Sequence, residues 1–273
     1  MFSATKQTYV PSQGKFLKFK EFTNGHLFAM TKASNSRIDS LTCQLDTLHD
    51  LYCDVELFHF TLLDLFTIFL DWRISNIGGI VKFDEDGGSK TEVDLMDWYI
   101  DAQKLRSINW AQPLLVLGEV VKLDVPKVVD LLELYKDNAL LNDGIQKKIE
   151  EDISMETFLL FDHYGDIPLS FEEKRQLFES LPIGNLEDIQ NYSDWVKSKL
   201  KTISFSMGGT RDEVVFNFEL IPIIIQNLFG GNMESLLEMY VLTSRKIKTL
   251  TFTDYMMMTP VESRYSVEFI VDQ

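Results

Sequence analysis

The chain has 273 residues, of which 45% are hydrophobic and 25% are charged. These proportions are typical of a globular protein with a packed core, and they argue against wholesale disorder. The 26 basic and 42 acidic residues give a formal net charge of −16, and so negative a surface disfavours sequence-independent binding to nucleic-acid phosphates.

The length, the cysteines and the apolar runs limit the classes of protein to which this chain can belong. A single core rarely grows far beyond ~250 residues, so two domains are expected. The first residues lack the apolar core of a signal peptide. The most apolar run, residues 220–229, is about half as long as a membrane span needs. The two cysteines, Cys43 and Cys53, do not imply a disulfide framework, and a reducing compartment fits them.

The sequence begins with a predicted hairpin and two helices. Residues 9–19 indicate two short strands around a Pro/Gly turn. A helix over residues 22–33 follows, with Thr23 or Asn24 available as its N-cap. A second helix is expected over residues 36–52, because apolar residues recur there at steps of three and four.

The most strongly apolar helix is predicted over residues 61–76, and its narrow polar side places it at the centre of the first domain. Asp64 lies where the start of a helix favours negative charge. Arg73 lies near the end, where its guanidinium could bond the last carbonyls. Residues 80–95 predict a β-hairpin, because the glycines between its strands permit a tight reversal.

The middle of the chain is harder to assign. Residues 97–113 carry large apolar side chains, and we expect an irregular helix there. Residues 116–125 alternate as a strand, and Pro126 ends it while opening a helix through about Tyr135. Asparagine, aspartate and glycine gather over residues 138–150, where we place a domain boundary.

The second half is helix-rich, and its helix starts carry clear signals. Ser170-x-x-Glu173 is a capping box, and Asn185-x-x-Asp188 indicates the start of another helix. Residues 203–218 predict a short hairpin across a glycine pair. Two more helices are expected, one capped by Asn232 and one starting at Thr259-Pro260-x-Glu262.

These patterns together predict an α+β fold that is helix-rich with several short β-hairpins and has two domains. The first, residues 1–140, is an α+β domain in which a hairpin, helices and a further hairpin follow one another. The second, residues 141–273, is a helix-rich C-terminal domain with a short hairpin. No internal repeat and no low-complexity tract is present.

The best acid–base candidate is the run from Asp162 to Asp166, in which two carboxylates flank His163. A carboxylate beside an imidazole can orient the ring and tune its pKa, which a hydrolase would require. The interpretation we favour is a turn between helices whose polar groups cap the neighbouring ends.

Metal and phosphate sites are not indicated. Cys43, His49, Cys53 and His59 have side chains that suit zinc, but their spacing does not match paired ligands, and helical periodicity directs several of them to the core. The glycine pairs lack the Gly-Lys-Ser/Thr ending of a phosphate-binding loop. We therefore assign no catalytic, cofactor-binding or metal-binding residue, and we expect no cofactor.

Two features suit contact with other proteins. Lys6, Lys15, Lys18 and Lys20 form a basic run without an acidic residue among residues 1–20. We favour a solvated hairpin face over a docking patch for an acidic partner. Residues 256–258 are three consecutive methionines, for which core filling is favoured over an adaptable contact surface.

Two stretches resemble a known family. Tyr9-Val10-Pro11-Ser12-Gln13-Gly14-Lys15 leads through Phe19-Lys20-Glu21-Phe22-Thr23 into a helix, and Thr61-Leu62-Leu63-Asp64, Phe69, Trp72-Arg73-Ile74-Ser75 and Gly78 precede a strand. In both, the chain resembles the baseplate hub subunits of T-even-like tailed phages. The first stretch is similar to the family's strand–turn–strand–helix opening, and the second to its buried helix before a β-hairpin. A looser similarity spans most of the remaining chain.

The resemblance implies a structural or assembly subunit of a phage contractile-tail baseplate hub, which is not an enzyme. Its partners would be other hub proteins and the tape measure protein, and it could self-associate. It would bind no nucleic acid and would have no membrane span. It would act in the host cytoplasm during assembly and in the tail baseplate of the virion.

Five aromatic residues are loose candidates for the contacts, with a core position favoured for each: Phe16, Phe19, Phe58, Trp110 and Phe229. Two alternatives to the hub subunit stay open. One is a transient tail-assembly chaperone that is absent from the virion. The other is a hydrolase that uses His163 with Asp162 or Asp166.

Overall fold

The computed structural model describes residues 5–33, 37–52, 60–84, 90–105, 108–116, 118–136, 157–200, 205–206, 213–214, 221–229 and 233–268. The helices are α1 (Asn24–Lys32), α2 (Arg37–Leu51), α3 (Leu62–Asn76), α4 (Leu95–Leu105), α5 (Val128–Lys136), α6 (Phe171–Ser180), α7 (Ile183–Leu200), α8 (Ile221–Phe229), α9 (Met233–Lys246), α10 (Phe252–Met257) and α11 (Pro260–Glu268).

The described strands form antiparallel sheets. They are β1 (Thr5–Val10), β2 (Lys15–Lys20), β3 (Ile80–Asp84), β4 (Lys90–Asp94), β5 (Gln112–Val116), β6 (Glu119–Leu123), β7 (Phe161–Tyr164), β8 (Ile167–Pro168), β9 (Phe205–Ser206) and β10 (Glu213–Val214). Three sheets are two-stranded hairpins, and the fourth has four strands in the order β5-β6-β7-β8. The prediction of a helix-rich α+β fold with short hairpins is confirmed.

Helix α3 lies at the centre of the packing, as its apolar sequence predicts. Every residue from Leu62 to Leu70 is buried. The Thr61 hydroxyl accepts a bond from the Asp64 amide at 3.2 Å, and the Asp64 carboxylate accepts bonds from the amides of Thr61 at 2.7 Å and Ser12 at 2.8 Å. Thr61 and Asp64 therefore form the capping box of the helix, and the bond from the Ser12 amide makes Asp64 its link to the N-terminal hairpin.

An aromatic cluster surrounds the end of α3. The ring of Trp72 lies 5.3 Å from Phe19 and 5.0 Å from Phe69, and Phe229 lies 5.8 Å from Phe69. All four rings are buried. The cluster joins β2, α3 and α8, which come from opposite ends of the sequence, so burial of these large apolar rings helps to hold the fold together.

The buried apolar residues form one connected cluster that runs from Val10 to Phe229 and draws on both predicted domains. The expected boundary at residues 138–150 lies outside the described residues. The division into residues 1–140 and 141–273 is therefore not confirmed and stays a prediction.

The structure corrects the middle of the chain. The irregular helix expected over residues 97–113 is instead the regular helix α4 followed by strand β5. The strand expected over residues 116–125 is shorter, and β6 pairs with β5 in a hairpin closed near Gly118, whose φ is 90°. Pro113 lies within β5, which is compatible with its position on an edge strand of the sheet.

Several start signals are confirmed and others are not. Ser170 and Thr259 begin capping boxes with Glu173 and Glu262, as predicted, and Thr61 begins a further one with Asp64 that was not predicted. Asn185 does not cap a helix, because α7 already begins at Ile183 after Pro182. Asn232 and most of the predicted hairpin over residues 203–218 lie outside the described residues, although β9 and β10 pair within it.

Helix α8 is built from the apolar run that we judged too short for a membrane span. Its residues pack against α2 and α3, and six of the nine are buried. Among the residues that the structure describes, no helix has both the length and the apolar character needed to cross a membrane.

Candidate functional site

The outer face of the four-stranded sheet exposes large apolar side chains. Leu115 on β5 is 64% exposed, and its cross-strand neighbour Val120 on β6 is 50% exposed. Ile183, at the first position of α7, is 86% exposed. The Asn185 side-chain amide donates to the Leu115 carbonyl at 2.8 Å, so the start of α7 lies against the β5 edge. We name Leu115, Val120 and Ile183 the β5 patch.

Strand alternation explains why this patch faces outward. Leu114 and Val116 on β5 and Val121 and Leu123 on β6 are buried, and they cover the hydrophobic core. Neighbouring residues on a strand point to opposite faces, so Leu115 and Val120 lie on the solvent side. Neither is required for the core that the sheet encloses.

The N-terminal hairpin presents an exposed aromatic residue. Phe16 is 58% exposed, and its ring packs edge-on against Tyr9 at a centroid distance of 5.3 Å. Lys15 and Lys18 on the same strand are exposed. Lys6 is instead held by Asp71 at 2.9 Å, and Lys20 donates to the Asp50 carbonyl at 3.0 Å. The predicted basic run is thus divided, and two of its four lysines are engaged within the fold.

The other aromatic candidates lie in the interior or outside the described residues. Phe19 and Phe229 belong to the core, which was the favoured interpretation. Trp110 is half-buried, with its ring 5.7 Å from Trp195. Phe58 lies outside the described residues. Of the five candidates, Phe16 is the one that the structure shows exposed.

The methionine run is not a core element throughout. Met257 is 73% exposed, whereas Met256 and Met258 are half-buried. The prediction that these methionines fill the core is therefore wrong for Met257. It lies at the end of α10, a short helix that places its side chain in solvent.

The Asp162–His163 pair lies in a hairpin, not in a turn between helices as predicted. Strands β7 and β8 pair around Gly165, and the register between β6 and β7 shifts at Lys122 and Leu123. The Asp162 carboxylate is bonded to His163 Nδ1 at 2.7 Å and to the ammonium groups of Lys127 at 2.7 Å and Lys122 at 3.4 Å.

These contacts fix the charge of Asp162. Burial by itself would raise the pKa of the carboxyl, but Lys127 and His163 outweigh burial and hold the pKa at about 2. Asp162 is therefore ionised at neutral pH and joins β6, β7 and the start of α5. Asp166 is exposed on the far side of the turn, so the structure brings His163 together with Asp162 and not with Asp166.

The residues considered for zinc are only partly described. Cys43 is half-buried on α2, with its sulfur 3.9 Å from that of Met30, and burial raises the pKa of its thiol. His49 is exposed on the same helix. Cys53 and His59 lie outside the described residues. Within the described part of the chain, no group of three or more potential metal ligands comes together.

Comparison with known proteins gives no family model, no curated protein and no solved structure that matches this chain. The resemblance to phage hub subunits therefore stays a prediction made from the residues quoted above.

The sequence did not indicate Leu115 or Ile183 as surface residues. Leu115 lies between Leu114 and Val116 on a strand, where successive side chains point to opposite faces. The sequence could therefore have shown that either Leu115 or its two neighbours face outward. Ile183 follows Pro182, a residue typical of the entry to a helix, where an apolar side chain has no preceding turn to cover it.

Proposed function

We propose that this chain is a structural or assembly subunit of a phage contractile-tail baseplate hub and acts through protein–protein contacts made by the β5 patch. The exposure of Leu115 and its cross-strand neighbour Val120, together with that of Ile183, two residues before the Asn185 that bonds Leu115, carries the proposal. Adjoining exposed apolar side chains of this size are typical of interaction sites, whereas single ones are ordinary.

The patch has the physical properties of an anchor. Complete burial of a Val, Leu or Ile side chain stabilises a complex by about 1.5–3 kcal/mol relative to full exposure. Leu115 and Val120 are already partly covered and would contribute less, while Ile183 would contribute nearly the full amount. A few such residues dominate the affinity of most interfaces.

The geometry of the sheet adds a second argument. Strand β5 is an edge strand against which α7 packs, so the outer face of the sheet, and not its edge, is left for another chain. The Asn185 side-chain amide donates a hydrogen bond to one carbonyl of this edge, that of Leu115. A hub protein that covers the patch would therefore contact the outer face of the sheet and the start of α7 together.

Affinity purification of the chain from infected cells tests the proposal. Ile183→Glu places a negative charge at a helix start, which the helix dipole favours, so the variant should fold. It should lose the hub proteins that the unmodified chain retains. Val241→Glu on α9 is the matched control, because Val241 is also exposed, at 42%, and lies outside the patch.

The chaperone alternative is tested by mass spectrometry of purified virions. A hub subunit is present there in low copy, whereas a transient chaperone is missing. Both would act through contacts, so loss of partners from Ile183→Glu supports the patch in either case, and the virion content separates the two functions.

One observation favours the hydrolase alternative, namely the 2.7 Å contact between His163 and Asp162. The same carboxylate also binds two lysines, which accounts for its position as a structural link. If the chain is a hydrolase, His163→Ala abolishes a measurable activity while partner capture is retained. Loss of partner capture from His163→Ala, with no activity to lose, counts against the hydrolase.

A further inference from the structure

A cavity of about 280 Å³ lies between the end of α3 and the C-terminal helices. Much of its wall is apolar, with Leu27, Ile77, Leu236 and Met239 among the lining residues. Two arginines, Arg73 and Arg264, complete it. The volume is close to the lower end of the range for ligand pockets, roughly 300–1,000 Å³, so a small group fits.

Arg73 is a buried cation that is bonded to two backbone carbonyls. It is 8% exposed. Its Nε donates to the Leu228 carbonyl at 2.7 Å and its Nη1 donates to the Gly78 carbonyl. Its Nη2 makes no hydrogen bond with a described residue, and no described carboxylate pairs with the group. A guanidinium has five N–H donors, so several of them remain for a ligand.

Arg264 reaches the same place from α11. Its Nη2 donates to the Ile77 carbonyl at 2.8 Å, next along the chain from the Gly78 carbonyl that Arg73 binds. No carboxylate of the described residues pairs with it either. The two guanidinium groups thus line one cavity near the C-terminal end of α3, where the helix carbonyls favour positive charge, with Arg73 buried and Arg264 exposed.

This local charge contrasts with the rest of the protein. The chain has 42 acidic residues, yet the described ones leave both arginines unpaired. Burial, and then the nearby Arg264, lower the pKa of Arg73 to about 10, which leaves it charged at neutral pH. A buried charge is ordinarily paired, and the open side of this pair of arginines is an apolar cavity.

We propose that the cavity binds an organic carboxylate with a small apolar body, whose carboxylate bridges Arg73 and Arg264 while the body packs against Leu27, Leu236 and Met239. Guanidinium groups recognise carboxylates through paired N–H···O bonds. A free aliphatic acid and the C-terminal residue of a protein segment share this chemistry. The site is separate from the β5 patch, so the proposal does not depend on the proposed function.

Isothermal titration calorimetry on the full chain tests the proposal with two pairs of probes. N-acetyl-leucine and its amide represent a C-terminal residue with and without the charge, and octanoate and octanol represent an aliphatic acid and its neutral analogue. Each carboxylate should bind at least about tenfold more tightly than its neutral counterpart, because a hydrogen bond to a charged group contributes that much. Tighter binding of N-acetyl-leucine identifies a protein terminus as the ligand, and tighter binding of octanoate identifies a free acid.

Variants locate the binding. Arg264→Gln should lower the affinity for the two carboxylates about tenfold or more. Arg245→Gln is an equal loss of charge at an exposed residue outside the cavity, and it should leave that affinity unchanged. Met239→Trp fills the cavity and should abolish binding, which provides a second test if Arg264→Gln fails to fold. Absence of saturable binding to the unmodified chain, equal binding of charged and neutral probes, or full affinity in a folded Arg264→Gln or Met239→Trp variant would overturn the proposal.

Discussion

Removal of Lys174 should destabilise the protein more than removal of any exposed lysine. Its ammonium group contacts the Asp130 carboxylate at 2.5 Å, and the two side chains are 1% and 8% exposed. The pair joins α6 to α5. Burial lowers the pKa of Lys174, and the charge of Asp130 opposes that effect, so the two charges are tolerated because each faces the other.

The magnitude follows from this burial. Lys174→Met leaves the Asp130 carboxylate buried without its partner, and loss of one member of a buried pair costs about 3–5 kcal/mol of unfolding free energy. The double variant Asp130→Leu with Lys174→Met removes both charges and replaces them with apolar side chains. It should be close to the unmodified protein or more stable by up to about 1–4 kcal/mol.

Urea unfolding followed by circular dichroism measures these free energies. Lys136→Met is the matched control, because Lys136 contacts Glu133 at 3.1 Å with both side chains 52% exposed. Exposed pairs of this kind contribute about 0–1 kcal/mol. The reasoning is refuted if Lys174→Met costs no more than Lys136→Met, or if the double variant is as unstable as the single one.

Three further predictions concern stability. Asn24→Ala should cost about 1–3 kcal/mol in urea unfolding, because the buried amide donates to the Tyr255 carbonyl at 3.0 Å and to the Ser263 hydroxyl; an unchanged midpoint contradicts this. Thr61→Ala should lower stability by about 0.5–2 kcal/mol through loss of the α3 cap, whereas Thr61→Ser should retain most of it. The folded-state pKa of Asp162, about 2, lies below the ordinary 3.8. Its stabilisation is therefore fully present above about pH 4 and is lost as the pH falls through about 2, so Asp162→Asn should flatten stability against pH in that window.

The helix starts show what the sequence could predict. Ser170 and Thr259 each stand three residues before a carboxylate, and a capping box needs only those four residues. That Arg73 bonds a carbonyl near the end of α3 was foreseen from local spacing, although the carbonyl is that of Gly78, two residues beyond the helix, and not one of its last carbonyls. Its second partner, the Leu228 carbonyl, was not, because that contact joins distant parts of the chain.

Strand pairing explains the errors. The polar run around His163 was interpreted as a turn, because β7 forms by pairing with β6, which lies nearly forty residues earlier in the sequence. Likewise, the alternation of β5 could not show which face is covered, since that depends on the helices packed beneath the sheet. The exposure of Leu115 and Ile183 is therefore a property of the assembled fold.

Site-specific photo-crosslinking at Val120 in infected cells tests the account most directly. A crosslinking amino acid at this exposed position of the β5 patch should form a covalent product with a baseplate hub protein, identified by mass spectrometry, whereas the same group at Val241 should not. Products with no hub protein at Val120, or the same hub product from both positions, would contradict the claim that the patch is where this protein is held by its neighbours.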